Sequence, residues 1–202
     1  MEGGWDPSEE YRLSDLPSVS RWPRLSSHGR MVQMFSDMGV LESPSLFDAL
    51  MRSSRGYHSL PLPSELEDVN IETSALRMPW WSDVSAHQSL LPGLYETIQI
   101  IQALEIRQGD DVLIIGPRGN WWTELAMQLG ARRIRVVETV EERLEELRSR
   151  WFALRLNQAA EALDCEIEWK VVGSHREDRP PAGWDRILIT GGVTEAPMAI
   201  LE

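Results

Sequence analysis

The spacing of apolar residues changes along the chain, and each change marks an expected structural boundary. Met31, Met34, Phe35 and Met38 recur at helical spacing, which predicts a helix over Arg30–Met38 that Gly39 stops. Ser43 followed by Pro44 is a capping residue with proline at the first helical position. It opens a second helix through Leu46, Phe47, Leu50 and Met51. Pro61, Pro63, Pro79 and Pro92 then interrupt the chain, so residues 53–92 read as irregular, with Trp80 and Trp81 as a packing anchor. From Gly93 apolar runs alternate with amphipathic stretches. They predict a helix over Tyr95–Ile106, a buried strand at Val112–Ile115, a helix over Asn120–Leu129 ended by Gly130, and a strand at Ile134–Val137. A long helix over Thr139–Leu163 follows, opened by a capping box of Thr139 and Glu142, with Leu144, Leu147, Trp151 and Leu154 as its apolar stripe. Strands at Glu166–Val172 and Arg186–Ile189 complete the series.

Strands alternating with helices imply right-handed crossovers and a parallel sheet covered by helices, an α/β, Rossmann-like class. The chain divides into a poorly ordered segment 1–25 rich in Ser, Pro, Gly and charge, an extension 26–92 that is helical and irregular, and a sheet domain 93–202. Only four strands can be counted, and Ala196–Leu201 reads as the start of a further helix. The domain is therefore expected to be truncated after its fourth strand. That strand would be an apolar edge, which a second copy of the chain or a partner would cover.

Charge and composition narrow the partners. The net charge of -12 argues against nucleic acid, leaving only Arg132, Arg133 and Arg135 as a small basic group. No run approaches the roughly 20 apolar residues that cross a bilayer, so no membrane partner is expected, and the first residues lack the pattern of a secretory leader. The single cysteine, Cys165, forms no internal disulfide and fits a cytoplasmic location. His28, His58, His87 and His175 read as surface or loop residues without metal-ligand spacing, so no metal is expected.

An open parallel sheet binds ligands at the carboxyl ends of its strands, where the strand order reverses. The first strand runs into Gly116-Pro117-Arg118-Gly119-Asn120, where Gly116 allows a sharp turn and a close approach to a ligand. The second ends at Glu138, about 20 residues on, where an acidic side chain can take both hydroxyls of a ribose. Together they predict an adenosine-containing cofactor. Each also has a plainer reading, since a strand-to-helix turn needs glycine anyway and an acid favours the start of the next helix. The turn lacks the Lys-Ser/Thr ending of a phosphate-cradling loop.

Several segments over roughly residues 30–202 resemble the protein-L-isoaspartate O-methyltransferase family. They are Met38-Gly39-Val40-Leu41-Glu42-Ser43 with Asp48-Ala49-Leu50 and Arg55, then Gln108-Gly109-Asp110-Asp111-Val112-Leu113-Ile114-Ile115-Gly116. Trp184-Asp185-Arg186-Ile187-Leu188-Ile189-Thr190, the most distinctive, is followed by Glu195-Ala196-Pro197. The resemblance implies S-adenosyl-L-methionine (SAM) as cofactor and methyl transfer to a carboxylate acceptor on a protein or peptide. It implies cofactor contacts at Gly116, Pro117, Arg118, Gly119, Glu138 and Ser174, with Ser85, Ser89 and Tyr95 on the acceptor side. A carboxylate is already ionised at neutral pH, so positioning matters more than a strong base, and no His–Asp pair is required.

The chain departs from the family pattern at several points. Arg118 and Asn120 stand at the second and third glycine positions of its turn, and Ile114 replaces an acid before it. Gly173-Ser174-His175 replaces Gly-Asp-Gly. Pro92-Gly93-Leu94 occupies the place of Ser-Ala-Pro, for which Ser85-Ala86-His87 is a displaced look-alike. A non-catalytic homologue that binds SAM or another protein therefore stays open as the alternative. A nicotinamide-dependent oxidoreductase shares the strand–glycine–acid order but does not account for the Trp184–Thr190 match.

Overall fold

The structure, a computed structural model, describes residues 28–58, 80–81, 90–171 and 183–190. The segment 1–25, expected to be poorly ordered, and the residues after Thr190 lie outside the described residues.

Two helices lead in, α1 (His28–Asp37) and α2 (Pro44–Arg52). The Ser43 hydroxyl accepts from the Leu46 N–H and Pro44 occupies the first turn, so α2 starts as its sequence predicts. A short 3-10 turn follows at Arg55–His58. Within 53–92, which the sequence presents as irregular, β1 (Trp80–Trp81) pairs antiparallel with β2 (Leu90–Leu91). Next come α3 (Leu94–Leu104), β3 (Asp111–Ile115), α4 (Trp121–Gln128) and β4 (Arg133–Glu138), then α5 (Glu141–Ala153), α6 (Leu156–Ala162), β5 (Glu166–Val171) and β6 (Arg186–Ile189). The last four strands form one parallel sheet in the order β5-β4-β3-β6, the expected crossover arrangement.

The predicted helix over 139–163 is two helices. Arg155 adopts a left-handed conformation (φ 57°) between α5 and α6, which ends the first and redirects the chain. The expected capping box is not formed either. Val140 precedes α5 without a side-chain cap, because the Thr139 hydroxyl is bonded to Glu138 instead. Gly130, by contrast, ends the α4 segment at φ 95°, a conformation that a side chain would strain.

One face of the sheet builds the main core. Val112, Ile114, Ile134, Val136 and Leu188 project from alternate strand positions and pack with Ile98 and Ile101 of α3, Trp121 and Trp122 of α4, and Trp151 of α5. Burying each indole contributes roughly 4–6 kcal/mol of transfer free energy before its ordering cost is counted. Met31, Phe35, Leu46 and Leu50 of the lead-in helices belong to the same cluster. Gln102 fixes them to α3. Its carbonyl accepts from the Glu42 N–H at 2.7 Å, and its amide donates to the Val40 carbonyl at 3.1 Å.

The three arginines that looked like a basic patch are each paired with an acid. Arg132 and Arg133 bind Asp111 at 2.8 and 2.5 Å, and Arg135, buried, binds Glu168 at 2.5 Å with the Trp184 ring 5.1 Å from its guanidinium carbon. The Trp184–Thr190 segment has a structural reason for its sequence. The Asp185 carboxylate accepts from the Asp111 N–H at 2.8 Å, and the Arg186 guanidinium lies 3.3 Å from Asp110, so both pin β6 beside β3.

Candidate functional site

Because β4 lies on one side of β3 and β6 on the other, the strand order reverses at β3, and in open parallel sheets ligands bind at the strands' carboxyl ends beside such a reversal. The Gly116 turn sits there. At φ 64° Gly116 swings the chain out of β3; its N–H donates to the Val137 carbonyl at 2.8 Å, and its carbonyl accepts from the Thr190 hydroxyl. The turn is thus held from both neighbouring strands. The Pro117 carbonyl accepts from Arg143 at 3.0 Å. Arg118 is half-buried and has no hydrogen-bond or ion-pair partner among the described residues. Gly119 and Asn120 are buried, and the Asn120 amide donates to the Leu147 carbonyl at 2.8 Å. Where the family pattern has glycine, this asparagine ties the turn to α5, and its buried Oδ1 has no hydrogen bond.

Glu138 closes β4 and is only 2% exposed. Its Oε1 accepts from the Thr139 N–H at 2.8 Å and the Thr139 hydroxyl at 3.2 Å. Its Oε2 lies 3.1 Å from Arg143 Nε, close enough for an ion pair, yet the two atoms are not aligned for a hydrogen bond and both are buried without one. A buried carboxylate oxygen lacking its donor is what a ribose hydroxyl would supply, so the residues present fit a nucleoside cofactor.

Five predicted cofactor residues, Gly116, Pro117, Arg118, Gly119 and Glu138, therefore lie together at the carboxyl ends of the neighbouring strands β3 and β4. Tyr95 lies in the first turn of α3. The six residues 105–110 between α3 and β3 force the helix to run back along the strand, so its start lies toward the strands' carboxyl ends. The Tyr95 ring packs 6.1 Å from that of Phe35. Ser85, Ser89 and Ser174 lie outside the described residues.

The sequence did not point to Arg143 as a partner of the turn, nor to a buried pair on α4. His58, expected at the surface, is fully buried. Its Nε2 meets Glu124 Oε2 at 2.6 Å, joining the 3-10 turn to the first turn of α4. His28, also expected at the surface, is buried and bonded through Nε2 to the Leu50 carbonyl at 2.7 Å. Burial pushes the Cys165 thiol up to about 12, helped by the Asp164 and Glu166 carboxylates. A cleft of about 370 Å³ between α2 and the end of α3, lined in part by Gln102, Glu105 and Arg107, contains none of the predicted site residues. Among the described residues no three His, Cys, Asp or Glu side chains gather as metal ligands, and no helix is long and apolar enough to cross a membrane.

Four parallel strands with their order reversing at β3, and helices between them, define a Rossmann-like α/β fold. Comparison with solved structures gives it a more particular likeness. A protein-L-isoaspartate O-methyltransferase superposes with a TM-score of 0.63 at 15% identity, over 87% of this chain and 51% of its own. The chain spans about half the length of that protein. No family model and no curated protein matches the sequence. What the likeness shows is a shared Rossmann-like α/β fold.

Proposed function

We propose that the chain is a SAM-dependent methyltransferase that binds its cofactor across the ends of β3 and β4. The observation that carries this reading is the buried, undonated Oε2 of Glu138 beside the positive-φ turn at Gly116. When bound, the sulfonium supplies an electrophilic methyl group. Transfer of that methyl to an acceptor carboxylate oxygen, with the neutral thioether as leaving group, would give a methyl ester and require no proton to be moved by the chain. The chain's own residues supply position. Gly116 and Gly119 admit the cofactor, Glu138 holds the ribose hydroxyls, and Arg118, without another partner among the described residues, takes the methionine carboxylate. Ser174 serves the adenine side, and Ser85, Ser89 and Tyr95 the acceptor side, where a protein or peptide presents its carboxylate.

Arg118 and Asn120 at the family's glycine positions, and Pro92-Gly93-Leu94 in place of its acceptor segment, favour a second reading, a module that binds SAM without turning it over. Calorimetry with SAM and S-adenosylhomocysteine, followed by transfer of a labelled methyl group, separates the two. At about 100 times its dissociation constant the ligand stabilises the fold by about 2.7 kcal/mol, and Glu138→Ala removes most of that shift. No stabilisation at millimolar ligand refutes both readings.

A further inference from the structure

We infer that Arg143 is the second arm of the ribose site, donating through Nε to the same hydroxyl that donates to Glu138. This rests on the cofactor reading above and names a residue that reading does not require.

Arg143 stands in the first turn of α5 with its side chain 15% exposed. One end of its guanidinium is anchored, since Nη2 donates to the Pro117 carbonyl at 3.0 Å. The other end is not. Nε and Glu138 Oε2 are 3.1 Å apart, a cationic donor facing an anionic acceptor, yet neither makes a hydrogen bond and both are buried. Two such atoms carry the desolvation cost of burial with only their mutual attraction in return. The group that satisfies both must accept from Nε and donate to Oε2. A hydroxyl does both; a carboxylate or fully ionised phosphate cannot donate to Glu138, and an ammonium cannot accept from arginine. A ribose presents two adjacent hydroxyls, one for this gap and one for the remaining acceptor capacity of the carboxylate.

The anchor decides between a clamp and a plug. A guanidinium held by Pro117 need not leave when the ligand arrives, because its free edge already faces the position the hydroxyl takes. The same anchor joins the ribose end of the site to the glycine turn, so a hydroxyl captured at Glu138 also steadies Pro117.

The test is calorimetry on the full chain with S-adenosylhomocysteine and its 2′-deoxy and 3′-deoxy forms, using the wild type, Arg143→Gln and Arg143→Lys. Lysine keeps the charge and can reach Pro117 but has no Nε donor, and a thermal melt of each variant checks that it is folded. In the wild type, removing the bridging hydroxyl should weaken binding roughly 10- to 100-fold, the range for a hydrogen bond to charged groups. In both variants that penalty should shrink by roughly ten-fold, because the guanidinium Nε–H that meets the hydroxyl is gone. Equal weakening of parent and deoxy ligands would show that Arg143 only supports the turn and overturn the inference. Tighter binding by Arg143→Gln would show a plug and also overturn it. Wild-type chain that binds no ligand would overturn the cofactor reading, and this one with it; binding with unchanged penalties would overturn this one alone.

Discussion

The His58–Glu124 pair makes a quantitative test of how the lead-in segment is fastened to the candidate site. The two side chains are 0% and 9% exposed and meet at 2.6 Å, so water cannot replace either partner. Stranding a buried carboxylate by removing the group that faces it costs about 3–5 kcal/mol. Glu124 lies in the first turn of α4, where the helix dipole returns about 0.3–1 kcal/mol to a carboxylate. His58→Ala should therefore destabilise the chain by about 2–5 kcal/mol, a large share of the 5–15 kcal/mol typical of a domain. Glu124→Gln keeps the shape and one hydrogen bond and should cost about 1–2 kcal/mol. In His58→Ala/Glu124→Gln no carboxylate is stranded, so the double variant should be about 1–3 kcal/mol more stable than the sum of the single effects predicts. Urea titrations followed by circular dichroism measure all four corners of the cycle. If the effects add to within about 0.5 kcal/mol, the pair is not coupled and the reasoning fails. Should His58→Ala not fold, His58→Gln retains a donor and gives the same cycle at smaller amplitude.

Cys165, with its thiol raised to about 12, should resist thiol reagents at pH 8 until the chain is denatured; rapid labelling of native protein would contradict its burial. Because its folded value lies above its unfolded one, the thiol's contribution to stability is complete below about pH 8.5 and is lost as pH rises toward 12. Cys165→Ala should flatten that alkaline decline. Arg118→Gly should weaken SAM binding roughly 10-fold if the guanidinium meets the methionine carboxylate, whereas tighter binding would mean that it obstructs the site. Ile187 and Ile189 lie on β6, at one edge of the described sheet, so the isolated chain should associate at micromolar concentration. Light scattering from a stable, monodisperse monomer would refute this.

The β3 strand was legible because a strand buried on both faces is an apolar run with clear ends, as Val112–Ile115 shows. The turn and its acid were legible because both lie at strand ends and their separation is local. What the sequence hid depends on contacts made across the fold. His58 and Glu124 are 66 residues apart, and no spacing links them. Arg143 reads as an ordinary helix-surface cation until α5 turns it toward Pro117 and Glu138. The break in the long helix was hidden for a different reason. Its left-handed residue is Arg155 rather than glycine or asparagine, so the usual punctuation is missing. Thr139 had two acceptable bonds, and the carboxylate beside it outcompeted the helix cap.

The order in which the sheet can be assembled follows from its register. β3 joins β4 through one helix and β4 joins β5 through two, but β6 must return from 74 residues away to place Asp185 against Asp111. Closing so long a loop is a slow event, repaid only after the earlier strands present a surface to dock on. Thr190 arrives with that last strand, and its hydroxyl is what bonds the Gly116 carbonyl. The glycine turn therefore acquires one of its two strand supports only at the end of folding. Refolding followed by ligand capture should lag behind refolding followed by secondary structure, with β6 docking as the step between them.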